Sequence, residues 1–118
     1  MSPAGEPRRP IRVLVVDDCP DVRHGLKAIL GPHRDVEVVG EAGHGLEAVA
    51  VAAELRPNVV LMDVQMPRMD GIEATQLIKR RMPETKVLFL TLILDDFLLK
   101  YADREELLRA IRNLAPAA

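Results

Sequence analysis

Two short apolar runs that each end in aspartate constrain the fold of this chain most. Residues 11–16, Ile-Arg-Val-Leu-Val-Val, precede Asp17 and Asp18, and residues 58–62, Asn-Val-Val-Leu-Met, precede Asp63. Short, β-branched and almost continuously apolar runs are typical of parallel strands that are buried on both faces. Because the carboxyl ends of parallel strands line the ligand crevice of an open α/β sheet, we expect the three aspartates to meet there.

Three carboxylates at one edge of a sheet repel one another unless a cation lies between them. Mg²⁺ prefers oxygen ligands and suits a site that also handles phosphate, so we predict a Mg²⁺ site at Asp17, Asp18 and Asp63. A lone aspartate after a strand is more often a turn former or a helix cap. The segment 63–71, Asp-Val-Gln-Met-Pro-Arg-Met-Asp-Gly, strengthens the metal hypothesis, because its proline-stiffened loop can direct the Gln65 backbone carbonyl as a further ligand. Its last two residues, Asp70 and Gly71, are interpreted as a turn and helix start.

The bulk composition indicates one globular domain and excludes several classes of protein. At 118 residues the chain is long enough for one core, and its net charge of −2 argues against a nucleic-acid binder held by a basic surface. The single cysteine, Cys19, excludes an intramolecular disulfide. No apolar run approaches the roughly 20 residues of a membrane span, so we expect a cytoplasmic protein without membrane contact. Residues 1–10, with three prolines and a glycine, are expected to form a flexible tail, and residues 116–118 a tail or the start of a linker.

Strand and helix patterns alternate between these ends, which predicts an α/β domain with a parallel sheet over residues 11–115. The predicted strands are residues 11–17, 36–41, 58–63 and 86–91. The predicted helices begin near Pro20, at Asp70-Gly71 and near Asp103, and the helix between the second and third strands is predicted to end before Pro57. Their predicted buried faces are Val22, Leu26, Ile29 and Leu30; Leu46, Val49, Ala50 and Ala53; Ile72, Thr75, Ile78 and Met82; and Leu107, Leu108, Ile111 and Leu114.

Four motifs together resemble response-regulator receiver domains over residues 11–115. They are Val-Leu-Val-Val-Asp-Asp at 13–18, the segment 63–71, a threonine that ends the fourth strand, and Phe-Leu-Leu-Lys at 97–100. Gly40-Glu41-Ala42 followed by Gly45-Leu46-Glu47-Ala48 is most similar to receivers of LuxR/NarL-type regulators. The resemblance implies a doubly wound, flavodoxin-like sheet and a place in two-component signalling.

The resemblance also implies roles for the acidic residues. Asp63 matches the phosphoacceptor, which takes a phosphoryl group from a sensor histidine kinase. Asp18 and Asp63 would bind Mg²⁺ directly together with the Gln65 carbonyl, and Asp17 would act through water. The chain would therefore be a signalling phosphoacceptor and not an enzyme, and DNA binding would belong to a C-terminal effector domain outside it.

Three further roles implied by the resemblance concern the end of the chain. Thr91 matches the hydroxyl residue that hydrogen-bonds the new phosphoryl group, and Lys100 matches the cation that pairs with it. Phe97 matches the aromatic residue that, with Thr91, reports the switch between signalling states.

The chain departs from the family pattern between Thr91 and Lys100, where only eight residues stand in place of a whole helix. Parallel neighbours need a crossover of about a dozen residues, and the five residues 92–96 reach only about 17 Å when extended. Either a segment is missing from this sequence, or residues 97–100 fold back antiparallel, cross over in a taut link, or are exchanged with a second chain. The last two arrangements return Lys100 to the acidic cluster most readily.

A missing helix would uncover apolar surface on the fourth strand and favour a homodimer. The alternative function is therefore a degenerate, truncated receiver that serves as a phosphorylation-independent dimerisation or interaction module. A haloacid-dehalogenase-type phosphohydrolase also uses an aspartate at a strand end, but it needs a second acid two residues later, where this chain has Gln65.

Overall fold

The computed structural model describes residues 9–64, 66, 69–90 and 104–115 of the chain. Within these residues four parallel strands form one sheet, in the order β2-β1-β3-β4. The strands are β1 (Ile11–Val16), β2 (Val36–Ala42), β3 (Val59–Met62) and β4 (Lys86–Phe89), and the helices are α1 (Pro20–Leu30), α2 (Gly45–Leu55), α3 (Gly71–Arg81) and α4 (Arg104–Leu114). The predicted α/β class and parallel sheet are confirmed. Residues 97–100, residues 1–8 of the predicted N-terminal tail and residues 116–118 lie outside the described residues.

Helices cover both faces of the sheet, so the fold is doubly wound as expected. Side chains alternate along β1, with Val13 and Val15 on one face and Leu14 and Val16 on the other. The first face packs on α1 and α4 through Leu26, Leu30, Leu107, Leu108 and Ile111. The second face packs on α2 and α3 through Ala48, Val49, Ala52, Ala74, Ile78 and Met82. Because apolar residues of β1 and β3 are buried on both faces, the strands read as continuous apolar runs.

Local signals in the sequence mark the helix starts. Pro20 occupies the first turn of α1. Backbone N–H groups in this turn have no acceptor within the helix, so the missing N–H of proline costs no hydrogen bond. Asp70 caps α3 in a capping box, since its side chain accepts from the Glu73 N–H and the Glu73 side chain accepts from the Asp70 N–H. The interpretation of Asp70 and Gly71 as a helix start is therefore confirmed.

The predicted inward face of α2 was largely wrong. Val49 is buried, but Leu46 is 51% exposed and Ala50 and Ala53 are also exposed. The residues of α2 that are buried are Gly45, Ala48, Val49 and Ala52. The helix is apolar nearly all round, so periodicity does not define its face, and the small residues turn inward because the packing is close. At Gly45 an added Cβ would collide with the backbone of Met69.

The inward face of α3 needs one correction. Ile78 and Met82 are buried and Thr75 is half-buried, but Ile72 is 51% exposed. Gly71 packs directly against the backbone of Asp63 and so fixes the inward face. Ile72 follows about 100° further around the helix and points outward, and Ala74 takes the inward position.

The apolar face of α4 is confirmed, with Leu107, Leu108 and Ile111 buried and Leu114 partly buried. Asp103, near which this helix was predicted to begin, lies outside the described residues. Among the helices of the described residues, none is long and apolar enough to cross a membrane.

Candidate functional site

Strand register brings the predicted acidic residues together at the carboxyl edge of the sheet. Val16 at the end of β1 lies beside Met62 at the end of β3, so Asp17 and Asp63 follow on neighbouring strands. The Asp63 N–H donates to the Val16 carbonyl at 3.0 Å, and the Asp17 N–H donates to the Ala42 carbonyl at 3.1 Å. Strand pairing therefore continues one residue beyond each strand and fixes the backbone of both acids.

The three carboxylates form one cluster. Asp17, Asp18 and Asp63 each offer an oxygen, and these oxygens all lie within 4.8 Å of one another. Asp17 and Asp63 are only 2% and 4% exposed, whereas Asp18 is exposed to solvent. The site therefore has two carboxylates that are shielded from solvent and a third, that of Asp18, through which it is accessible from solvent.

The environment of Asp17 fits a cation. Its Oδ1 accepts from the Cys19 N–H at 2.9 Å, but its buried Oδ2 has no hydrogen-bond partner among the described residues. Burial, together with the nearby charges of Asp63 and Asp18, raises the pKa of Asp17 to about 6, against the lowering effect of the Cys19 N–H. A buried anionic oxygen without a partner is unfavourable. A hard divalent cation would supply the missing partner and offset the repulsion among the three carboxylates.

Gly71 contributes to the site in a way that sequence reasoning missed. Its N–H donates to the Val64 carbonyl at 2.8 Å, which folds the start of α3 back onto the end of β3. A Cβ at this position would collide with the Asp63 carbonyl and lie 2.9 Å from the Val64 Cα. The Asp70-Gly71 pair therefore marks both the start of α3 and the close contact of Gly71 with the backbone of Asp63. Only the structure reveals the second of these, because the contact depends on how the chain folds between the two residues.

Arg23 and Glu41 were also missed as part of the site. Arg23 on α1 donates through Nη1 to the Asp17 carbonyl at 2.6 Å and through Nε to Glu41 Oε1 at 2.9 Å. Lys27 donates to the other oxygen of Glu41 at 2.6 Å. The hydrogen bonds from Lys27 and then Arg23 hold the pKa of Glu41 below its usual value. In the sequence Glu41 stood out only within the Gly40-Glu41-Ala42 motif, and nothing linked it to Arg23.

Comparison with known families agrees with this arrangement of acids on parallel strands. The profile of the response regulator receiver domain family matches residues 13–112. The chain belongs to this family.

Named relatives of this receiver are response regulator proteins. VraR, a response regulator protein of Staphylococcus aureus, is 50% identical over 86 residues, which make up 73% of this chain and 41% of VraR. The receiver thus spans less than half the length of that relative. The response regulator domain of Thermotoga maritima CheB is 34% identical with a TM-score of 0.78, covering 90% of this chain and 96% of that one.

The LuxR/NarL-type resemblance is supported in the same way. The signal receiver domain of NarL from Mycobacterium tuberculosis is 29% identical with a TM-score of 0.76, and the match covers 90% of this receiver and 96% of that chain. The flavodoxin-like fold expected of a receiver is therefore confirmed. Four predicted site residues, Gln65, Thr91, Phe97 and Lys100, lie outside the described residues and stay predictions.

Proposed function

We propose that this receiver is the phosphoacceptor of a two-component response regulator, in which Asp63 accepts a phosphoryl group from a sensor histidine kinase. The observation that carries the proposal is the cluster of Asp17, Asp18 and Asp63 at the carboxyl edge of a receiver sheet. In the transfer, an Asp63 carboxylate oxygen forms a bond to phosphorus as the bond from phosphorus to the kinase imidazole nitrogen breaks. The imidazole nitrogen retains the electron pair of the broken bond.

The acids and the loop after β3 have the ligand chemistry for Mg²⁺. Asp18, Asp63 and the Gln65 carbonyl would hold the ion directly, and Asp17 would hold it through water. When bound, Mg²⁺ neutralises the phosphoryl oxygens that would otherwise repel the attacking carboxylate. The Thr91 hydroxyl would donate to the phosphoryl group.

The remaining roles belong to the end of the domain. Lys100 would pair with the phosphoryl group, and Phe97 would follow the movement of Thr91 when the receiver switches. The acyl phosphate on Asp63 would be removed by water, so the chain takes part in its own phosphorylation and dephosphorylation without being an enzyme for other substrates. We propose a cytoplasmic location and DNA binding through a C-terminal effector domain outside this chain.

A second candidate is a degenerate receiver that acts as a dimerisation module without phosphorylation. Two observations favour it: only eight residues separate Thr91 from Lys100, and Phe89 at the end of β4 is 39% exposed. A homodimer would cover that apolar surface in place of the helix that receivers usually have there.

Phosphorylation of the intact chain separates the two candidates. The protein is incubated with acetyl phosphate, with Mg²⁺ or with EDTA, and its intact mass is measured before and after alkaline treatment. The phosphoacceptor proposal predicts the gain of one phosphate that needs Mg²⁺, is lost in alkali and is absent in Asp63→Asn. A phosphate retained in Asp63→Asn would identify another acceptor, and no phosphorylation of a chain that binds Mg²⁺ would favour the dimerisation module.

A further inference from the structure

We propose that Arg23 and Glu41 form a positioning pair for the metal site, in which Arg23 holds the Asp17 carbonyl and so directs the Asp17 and Asp18 carboxylates toward Asp63. This inference rests on the proposed function, because it concerns how the same cation site is held in shape. Arg23 is thus a positioning residue that acts through the backbone and not a ligand.

The Asp17 carbonyl matters because it is the part of the Asp17 backbone that the sheet does not fix. The Asp17 N–H donates to Ala42, which holds the peptide plane before Asp17. The next peptide plane carries the Asp17 carbonyl and joins Asp17 to Asp18. The 2.6 Å hydrogen bond from Arg23 Nη1 fixes that second plane. The orientation of this plane sets the direction in which the Asp18 side chain extends from the backbone.

Glu41 gives the Arg23 guanidinium a fixed direction. It lies on β2 directly before Ala42, so the same strand that pairs with Asp17 also carries the partner of Arg23. Arg23 reaches Glu41 through Nε and Asp17 through Nη1, a pair of contacts that uses the rigid fork of a guanidinium. Lys27 binds Glu41 but does not take part in the contact with Asp17.

The charge of Arg23 and its positioning role predict opposite changes in Mg²⁺ affinity when Arg23 is replaced. Arg23 is a cation next to a cation site, so an effect of its charge alone would make Mg²⁺ bind more tightly once the charge is removed. If Arg23 instead positions the carboxylates, its removal loosens the site and Mg²⁺ binds more weakly. The direction of the change therefore identifies the mechanism.

The test measures the Kd of Mg²⁺ alone by calorimetry on the full chain. We expect Arg23→Ala to weaken binding about tenfold, as is typical of residues that orient metal ligands. Arg23→Lys keeps the charge but can make only one of the two contacts well, so we expect an intermediate Kd. Glu41→Ala should also weaken binding, because it leaves the guanidinium without its anchor.

Two variants control for loss of an ion pair and loss of stability. Lys27→Ala removes the second partner of Glu41 but leaves both contacts of Arg23, and it should keep the wild-type Kd within about twofold. Arg112→Ala breaks an ion pair with Asp35, at 2.6 and 3.1 Å, that joins α4 to the start of β2 away from the cluster. It should also keep the Kd, and circular dichroism confirms that each variant is folded at the temperature of the titration.

The outcomes are distinguishable. An unchanged or tighter Kd in Arg23→Ala, with Mg²⁺ bound by the wild type, would overturn the positioning role and leave the proposed function intact. An equal weakening in Lys27→Ala or Arg112→Ala would also overturn it, because the effect would then follow general stability. No Mg²⁺ binding by the wild type would overturn the positioning role and the metal part of the proposed function together.

Discussion

Asp17 combines nearly complete burial with two neighbouring carboxylates, and this makes its charge unfavourable in the metal-free protein. Its pKa is raised from 3.8 to about 6, so between these values the folded protein holds a proton that the unfolded chain has released. Stability in EDTA should therefore fall as the pH rises through this window. We predict that Asp17→Asn increases the free energy of unfolding by about 1–3 kcal/mol near pH 7.5 and by less near pH 4.5. Urea unfolding at both pH values tests this, and an equal effect at the two would contradict it.

Removing a carboxylate of the acidic cluster should relieve repulsion in the metal-free protein but weaken the binding of Mg²⁺. Because the carboxylates are the proposed ligands, Asp18→Ala should weaken Mg²⁺ binding most and Asp17→Ala less, since the family role of Asp17 is through water. The two variants can be compared with the wild type by calorimetry near pH 7.5. Equal Mg²⁺ affinity in the wild type and Asp18→Ala would refute the site assignment.

At the scale of elements, the junction of β3 and α3 places Asp63. In Gly71→Ala the new methyl group would meet backbone atoms of Asp63 and Val64, which cannot move aside as a side-chain tip can. We predict a loss of about 1–3 kcal/mol in the free energy of unfolding and slower phosphorylation of Asp63. Gly43→Ala is the matched control for stability, because its Cβ would meet only side-chain atoms of Arg23 and Glu47, at 3.4 and 3.7 Å. Equal stability of the two variants would show that the close approach is unimportant.

The elements also show what could be predicted from sequence. Helix starts were predictable where a proline or a capping residue marks them, as at Pro20 and Asp70. The acidic cluster was predictable because strand ends in a parallel sheet share one edge. The buried face of α2 was not predictable from sequence, because the helix is apolar nearly all round and only the close packing at Gly45 determines which face turns toward the sheet. The pairing of Arg23 with Glu41 was not predictable either, since it joins residues 18 apart through the packing of α1 on β2.

At the scale of the whole molecule, the short connection after β4 governs how this receiver would associate. Only eight residues stand between Thr91 and Lys100, where receivers usually have a whole helix. Val87 and Leu88 are half-buried and Phe89 is exposed. A few hundred Å² of apolar surface would contribute several kcal/mol to association at about 25 cal/mol per Å², before ordering costs.

We therefore predict a homodimer at micromolar concentration that buries the exposed end of β4, while α4 stays packed on the sheet of its own chain through Leu107, Leu108 and Ile111. Phe89→Lys should shift sedimentation toward the monomer without unfolding the chain, because Phe89 is already 39% exposed. Ile72→Lys is the matched control, since Ile72 is a 51% exposed apolar residue on α3, and it should leave the dimer intact. A wild-type monomer at micromolar concentration would refute the dimer, because the apolar surface at the end of β4 would then stay exposed without association.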